Sequence, residues 1–162
     1  MYQRILLPSD GSAISRQAVA SGIRFARDTG ASVVGIHVLP QPHPDQLQAW
    51  MHHDPHYEEK RRALFDKFAD ESLAFIANSA LAEGVPCSYH KLESSQPWQA
   101  IVKAAQQERC DLIFMASHGW HGGEGELPGS ETRKVLHHSA VPVLVFKASS
   151  GQAAIAPAAA RK

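Results

Sequence analysis

Short apolar runs alternate with longer segments of helical periodicity along most of the chain. The first runs are QRILLP at residues 3–8 and ASVVGIHVLP at residues 31–40. The second is apolar at successive positions apart from Gly35 and His37, which is typical of a parallel strand covered on both faces by helices. Because crossovers between parallel strands are right-handed, the alternation predicts one α/β domain, with five parallel strands and helices on both faces of the sheet.

The remaining elements follow from the same periodicity. Spacings of three and four between apolar residues, with Pro, Gly and Ser at the ends, predict helices over residues 13–28, about 56–83, 97–108 and 130–139. Further strands are predicted over residues 85–93, 110–117 and 141–147. The proline- and histidine-rich segment 40–55 is predicted to be a long surface loop with a short helix at 46–51, and residues 148–162 a flexible tail after a domain at 1–147.

Composition excludes several classes of partner. Sixteen basic residues balance sixteen acidic ones, so no positive patch is expected for nucleic acid or an anionic membrane. Cys87 and Cys110 form no C-x-x-C motif, which disfavours a disulfide framework or a zinc site. No apolar stretch approaches the roughly 20 residues of a membrane span. We therefore expect a cytoplasmic protein.

Two loops of the predicted sheet are the expected ligand sites. In open α/β sheets, ligands bind beyond the carboxyl ends of the strands, where the strand order reverses. Asp10 and Ser12 follow the first strand and precede a helix. Either side chain could cap that helix, and Asp10 could instead accept hydrogen bonds from a ribose hydroxyl or an adenine amino group. Both alternatives remain open from the sequence.

The loop after the fourth predicted strand is rich in glycine. Glycines at positions 119, 122, 123, 125 and 129 let backbone N–H groups turn inward, and Ser130 begins a helix. Helix N-termini and inward amides bind phosphates without a lysine. The alternative is a plain surface loop with Ser130 as a helix cap.

Several motifs together resemble the universal stress protein family. They are ILLPSDGS, VVGIHVLP, DLIFMASHG followed after nine residues by GS, and VLHHSAVPVLVFK, and the resemblance runs from Met1 to Lys147. Nucleotide-binding members carry Gly-x2-Gly-x9-Gly-Ser/Thr. The corresponding positions here are Ala116, Gly119, Gly129 and Ser130.

The resemblance implies a Rossmann-like domain of the adenine nucleotide alpha hydrolase type, which binds ATP or another adenine nucleotide and acts as a regulatory or sensor module in a stress response. It also implies a homodimer paired through the last strand, with a protein partner that the sequence does not identify. By the same resemblance, Pro8 and Asp10 would meet the adenosine end, and Val38 would line the base pocket. Met115, Ala116 and Gly119 would lie beside the ribose and phosphates, and Gly129 and Ser130 would bind the phosphate chain.

Two departures from the family pattern bear on the ligand. Ala116 replaces the first glycine, and its methyl group is tolerable if the backbone there is extended. Residues 117–132 contain no lysine or arginine, whereas Glu124 and Glu126 lie in the loop. A carboxylate ~4 Å from a phosphate charge would oppose binding by ~4 kcal/mol at a dielectric near 20, unless Mg²⁺ bridges the two. If the glutamates point into water, we expect binding of ATP or of a less charged adenine nucleotide.

Two other functions compete with nucleotide binding. A scaffold of the same fold that has lost its nucleotide is one, and a slow ATP hydrolase with His118 activating water is the other. The chain has neither a G-x-S-x-G elbow nor a P-loop motif, and we assign no catalytic residue. The histidines are expected to lie on the surface and hold no metal, because Pro55 would break a helix aligning His52 with His56.

Overall fold

The computed structural model of the chain describes residues 1–118 and 128–148. The predictions for Gly119, Glu124 and Glu126 and for almost all of the C-terminal tail fall outside the described residues.

Five parallel strands form one sheet in the spatial order β3-β2-β1-β4-β5. Their bounds are Arg4–Pro8 for β1, Ser32–Pro40 for β2, Cys87–Ser94 for β3, Leu112–Ala116 for β4 and Val143–Phe146 for β5. This architecture confirms the predicted fold class. In the described sheet β3 and β5 are the edge strands, and all four residues of β5 are half-buried.

The structure describes five helices, of which four cover the two faces of this sheet. They are α1 at Ala13–Thr29, α2 at Pro44–His53, α3 at Tyr57–Ala82, α4 at Pro97–Gln107 and α5 at Ser130–His138. The exception is α2, which contacts α3. Apolar residues of α1 and α3 form one core with the sheet, and those of α4 and α5 form the other. Within the described ranges, every helix is too short or too polar to cross a lipid bilayer.

The segment after β2 is more ordered than its composition predicts. The sequence predicts only a short helix at 46–51, but α2 extends over Pro44–His53. His43 caps it, since its Nδ1 accepts from the Asp45 N–H at 3.4 Å, and Pro44 begins it. No residue of α2 is buried, so packing against the core does not impose a long apolar period on its sequence. The Trp50 ring packs against Tyr57 with centroids 5.1 Å apart.

Gly35 lets α3 lie close to the middle of β2. A Cβ added at Gly35 would stand 2.8 Å from Cγ2 and 2.9 Å from Cδ1 of Ile76, which is fully buried. Real carbon atoms do not approach so closely without displacing one another. The missing side chain at Gly35 therefore sets the distance between this helix and the sheet. That distance matters for the site, because Ser72 lies one turn before Ile76.

Candidate functional site

The strand order reverses between β1 and β4, which are direct neighbours in the sheet. From β1 the chain passes through α1 to β2 on one side, and from β4 it passes through α5 to β5 on the other. In open α/β sheets the ligand crevice lies beyond the carboxyl ends of the strands at such a point, which is here the edge beyond Pro8 and Ala116. The sequence indicated the loops that follow these two strands, and their first described residues, 9–12 and 117–118, lie at this edge.

The β1–α1 loop is fixed by its own polar groups. Ser12 is the helix cap, since its Oγ accepts the Ser15 N–H at 3.3 Å. Asp10 instead stabilises the turn before the helix, because its Oδ1 accepts the Ser12 N–H at 3.0 Å. Gly11 has φ 81°, a left-handed conformation that favours glycine. The capping role thus belongs to Ser12, and Asp10 is half-buried at the crevice.

Beneath this loop lies a cluster of buried serine hydroxyls that sequence reasoning missed. Ser9 Oγ lies 2.9 Å from Ser15 Oγ and 3.0 Å from Ser72 Oγ, and it accepts the Gly11 N–H at 3.2 Å. The Asp10 N–H in turn reaches Ser15 Oγ at 3.3 Å. Ser72 comes from α3, where a single serine among helical residues carries no signal in the sequence. Hydrogen bonds from two helices therefore hold the loop that carries Asp10.

Pro8 and Val38, the residues predicted for a base pocket, lie near the carboxyl ends of the adjacent strands β1 and β2. Pro8 is the last residue of β1 and pairs in register with Ile36 of β2. Val38 is half-buried and packs towards the α4 and α5 core. A cavity of about 430 Å³ opens next to this end of β2, between Leu39, Pro40 and side chains of α2 and α3, but none of the predicted residues lines it.

His37 is a buried polar residue on β2 next to the site loop. It is 6% exposed, and in the described part of the chain its Nδ1 has no hydrogen-bond partner. Burial lowers the pKa of His37, and Lys91 on β3 acts in the same direction. The Asp10 charge and a hydrogen bond to the Ser9 backbone oppose that lowering of the pKa. From the sequence, His37 was noted only as a polar residue in an otherwise apolar strand.

On the other side of the crevice, Met115 and Ala116 end β4. Both are buried, and the Met115 side chain packs into the α4 and α5 core, so only its backbone could face a ligand. Ala116 has strand geometry, and Arg109 is the one non-glycine residue with positive φ in the described ranges. The extended backbone accepts the alanine methyl group without strain. Thr132 Oγ1 donates to the Ala116 carbonyl at 3.1 Å and ties β4 to α5.

Gly129 and Ser130 form the start of α5. The Gly129 N–H donates to the Ser117 carbonyl at 2.7 Å, so this amide is engaged within the protein. A Cβ at Gly129 would lie 3.3 Å from the His118 Cβ, a tight contact that a small shift of His118 would have to relieve. The first intrahelical hydrogen bond is donated by the Arg133 N–H to the Gly129 carbonyl. Among the described residues, the N–H groups of residues 130–132 are therefore the donors of this helix that have no helical carbonyl as partner.

Glu131 is a carboxylate at this helix start that the sequence reasoning overlooked. One of its oxygens accepts the Trp98 N–H in the first turn of α4 at 2.9 Å, and the other pairs with Lys134 Nζ at 2.9 Å. Both oxygens are therefore engaged away from Ser130, which is exposed. At the end of β4, Ser117 Oγ lies 3.0 Å from His118 Nδ1. Among residues 1–118 and 128–148, no three His, Cys, Asp or Glu side chains converge on a possible metal position.

Comparison with known proteins gives one consistent result. The family model described as "Universal stress protein family" matches residues 1–147. A universal stress protein of Thermus aquaticus is 32% identical over 151 residues, covering 91% of this chain and 100% of its own. The solved structure of a hypothetical protein, published as a structure-based assignment of its biochemical function, is 27% identical with a TM-score of 0.71 and covers 93% of this chain and 99% of its own.

Two more distant structures share the fold and are complexes with adenine nucleotides. A universal stress protein in complex with cAMP is 21% identical, with a TM-score of 0.62 over 90% of this chain and 97% of its own. The universal stress protein from Archaeoglobus fulgidus in complex with dAMP is also 21% identical, with a TM-score of 0.63 over 90% of this chain and 98% of its own.

Proposed function

The chain belongs to the universal stress protein family, and from this membership we propose that it binds an adenine nucleotide in the crevice between the β1–α1 and β4–α5 loops. The observation that carries the proposal is the reversal of the strand order between β1 and β4. Asp10 follows β1, and the first turn of α5 is the next described helix after β4. Two proteins of the same fold are described in complex with cAMP and dAMP, which supports an adenine ligand here.

The donors and acceptors of the crevice suit the two ends of a nucleotide. The Ser130 hydroxyl and the amides after it would bind a phosphate, since the N-terminus of a helix carries a partial positive charge. Asp10 would accept from a ribose hydroxyl or the adenine amino group in addition to the Ser12 N–H, because a carboxylate accepts several hydrogen bonds at once. Pro8 and Val38 would contact the base, and the backbone at Met115, Ala116 and Gly119 would lie beside the ribose and phosphates.

The same proposal includes the number of phosphates on the ligand and the biological role of the protein. ATP is the ligand that the family motif implies, with Mg²⁺ where a carboxylate faces the phosphates, and a less charged nucleotide is favoured if no metal binds. We propose that occupancy changes the partner choice of a cytoplasmic stress-response module, with little turnover of ATP. Pairing of two copies through the exposed edge of β5 would cover its open backbone groups, and the particle mass in solution tests this pairing.

Two measurements test nucleotide binding directly. Mass spectrometry of small molecules released from freshly purified, unfolded protein identifies a nucleotide that copurifies. Calorimetry with AMP and ATP then compares the natural chain with Ser130→Ala. Loss of a hydroxyl that donates to a charged phosphate costs about 1.5–3 kcal/mol, so affinity should fall about 10- to 150-fold.

Ser21→Ala is the matched control, because Ser21 lies on α1 and its hydroxyl accepts only from Arg24, at 3.4 Å. Its affinity for AMP should equal that of the natural chain. If no adenine nucleotide copurifies and neither AMP nor ATP binds, the proposal is wrong and the nucleotide-independent scaffold is the correct alternative. Steady phosphate release that is lost in His118→Ala would establish the slow hydrolase instead.

A further inference from the structure

The cavity between α2, α3 and the end of β2 has the size of a ligand site. Its volume is about 430 Å³, which is within the range of small-molecule sites in proteins. Leu39 and Pro40 line it from the end of β2, Leu47 lines it from α2, and Phe65 lines it from α3. Three elements of the fold therefore supply its walls, and one of them is the helix that the sequence predicts only in part.

The helix α2 lacks burial on the side of this cavity. None of its ten residues is buried, and Leu47 is the only one that is half-buried. Protein interiors are normally close-packed, with few voids larger than a water molecule. Leu47 instead borders a space that the protein leaves open. An apolar occupant of the cavity would give this side chain the burial that the chain alone does not provide.

The arginines and glutamates in the cavity wall neutralise one another. The Arg61 guanidinium donates to both oxygens of Glu58 at 2.8 Å and to the Pro40 carbonyl at 3.1 Å, and its side chain is 14% exposed. Arg62 pairs with Glu93 at 3.0 Å. A charged ligand would have to break one of these pairs or lose its hydration beside a pair that is already neutral. The wall therefore favours an uncharged ligand.

The wall also presents planar groups. The central carbon of the Arg61 guanidinium lies over the Phe65 ring, 5.5 Å from its centroid. The rings of Pro40, Pro42 and Pro44 line the same cavity. Aromatic rings stack on one another and on guanidinium planes, and a planar molecule covers such surfaces with more contact than a bulky aliphatic one. These groups favour an aromatic ligand.

We propose that this cavity is a second ligand site, and that its ligand is an uncharged, planar aromatic molecule. The site is separate from the proposed base contact at Val38. Val38 packs towards the α4 and α5 core, whereas Leu39, the next residue of β2, faces the α3 side of the sheet. The inference goes beyond nucleotide binding and does not depend on it. It also gives the proline- and histidine-rich segment after β2 a role as the wall of a binding site.

Indole is the probe for this site, because its ring system is planar, aromatic and uncharged. In two-dimensional amide NMR spectra, millimolar indole should shift the signals of residues 39–47 and 58–65 and leave those of Ser12 and Ser130 in place. Indoleacetate and tryptamine carry the same ring with a negative and a positive charge. Each should therefore bind at least about tenfold more weakly than indole. Phenol should likewise bind more tightly than cyclohexanol, whose ring is not planar.

Leu47→Glu and Leu64→Glu are a matched pair of variants. Leu47 lines the cavity, and no residue of α2 is buried, so Leu47→Glu should fold. Its carboxylate in the apolar wall should weaken indole binding at least about tenfold. Leu64 is 52% exposed on α3 and does not line the cavity, so Leu64→Glu should bind indole like the natural chain. Circular dichroism confirms that both variants are folded.

Several results would overturn the inference. If neither indole nor phenol shifts the cavity signals, the cavity holds only water. If indoleacetate binds more tightly than indole, the arginines accept an anion and the ligand class is wrong. Equal indole affinity of Leu47→Glu and the natural chain places indole elsewhere, and displacement of indole by AMP makes the cavity part of the nucleotide site. If AMP does not bind at all, the proposed function fails, while the indole measurements still decide this inference.

Discussion

A methyl group added at Gly35 is expected to destabilise the fold through a single contact. The new Cβ would stand 2.8 and 2.9 Å from Cγ2 and Cδ1 of Ile76. These atoms belong to a fully buried side chain that also packs in the core, so neither can swing into solvent. Overpacking of this kind costs about 1–3 kcal/mol. Replacing glycine also reduces the entropy of the unfolded chain, which returns about 0.4–1 kcal/mol.

The net expectation for Gly35→Ala is a loss of about 1–2 kcal/mol in the free energy of unfolding. For a chain of this length, the thermal midpoint should fall by about 2–4 °C for each kcal/mol. Urea unfolding followed by circular dichroism measures the same loss as a lower midpoint with an unchanged slope. Nucleotide affinity should weaken as well, because a displaced α3 moves Ser72 away from Ser9.

A double-mutant cycle of Gly35→Ala with Ile76→Ala tests whether the contact between the new methyl group and Ile76 causes the destabilisation. Alone, Ile76→Ala should destabilise the protein by about 2–5 kcal/mol through the cavity it leaves. It also deletes both atoms that the new methyl group would meet, so Gly35→Ala should be nearly neutral or stabilising in that background. The coupling energy should therefore be about 1–3 kcal/mol in favour of the double variant.

Leu73→Ala provides the matched background for this cycle. Leu73 is buried on the same helix, but none of its atoms is among the three nearest to a Cβ at Gly35. Gly35→Ala and Leu73→Ala should therefore add within about 0.5 kcal/mol. Equal additivity with Ile76→Ala would refute the reasoning, because the destabilisation would then not arise at the predicted contact.

Two further predictions concern groups away from the crevice and at its rim. Burial raises the pKa of Cys110 to about 11, so only about 1 in 1,000 of its thiols is ionised near pH 8. Cys110 should therefore react with a thiol reagent far more slowly in the native protein than in the urea-unfolded protein, and equal reaction rates would contradict this prediction. Glu131→Ala should lower stability by about 1 kcal/mol, because the first turn of α4 loses its acceptor, whereas Glu131→Gln keeps an acceptor and should unfold closer to the natural chain in thermal melts.

The architecture was predictable because its signals are local. Apolar runs indicated the strands, and the ends of α1 were indicated by Gly30 and by the two candidate caps, Asp10 and Ser12. In the structure Ser12 is the cap, and Gly30 has φ 71°. The location of the crevice also followed, since a parallel sheet joined by right-handed crossovers reverses its strand order at one place. The full length of α2 did not follow, because an exposed helix needs no apolar period.

The detailed site was less predictable because its contacts join residues far apart in the chain. The bond between Ser72 and Ser9 spans 63 positions, and that from Trp98 to Glu131 spans 33. A serine or a glutamate in a helical segment does not indicate which distant residue its side chain will hydrogen-bond in the folded protein. Nor does the sequence indicate that the Gly129 N–H donates to the Ser117 carbonyl. The amide donors that the proposal assigns to a phosphate therefore begin at Ser130.

The two described acids near the crevice affect an anionic ligand less than their number suggests. A free carboxylate ~4 Å from a phosphate would oppose binding by ~4 kcal/mol at a dielectric near 20. Glu131 is not free, because a backbone N–H and an ammonium group occupy its two oxygens. Asp10 gives one oxygen to the Ser12 N–H, and the proposal assigns it to the nucleoside end of the ligand. In the proposed arrangement, neither carboxylate is therefore the partner of a phosphate, and the amides of α5 serve that end.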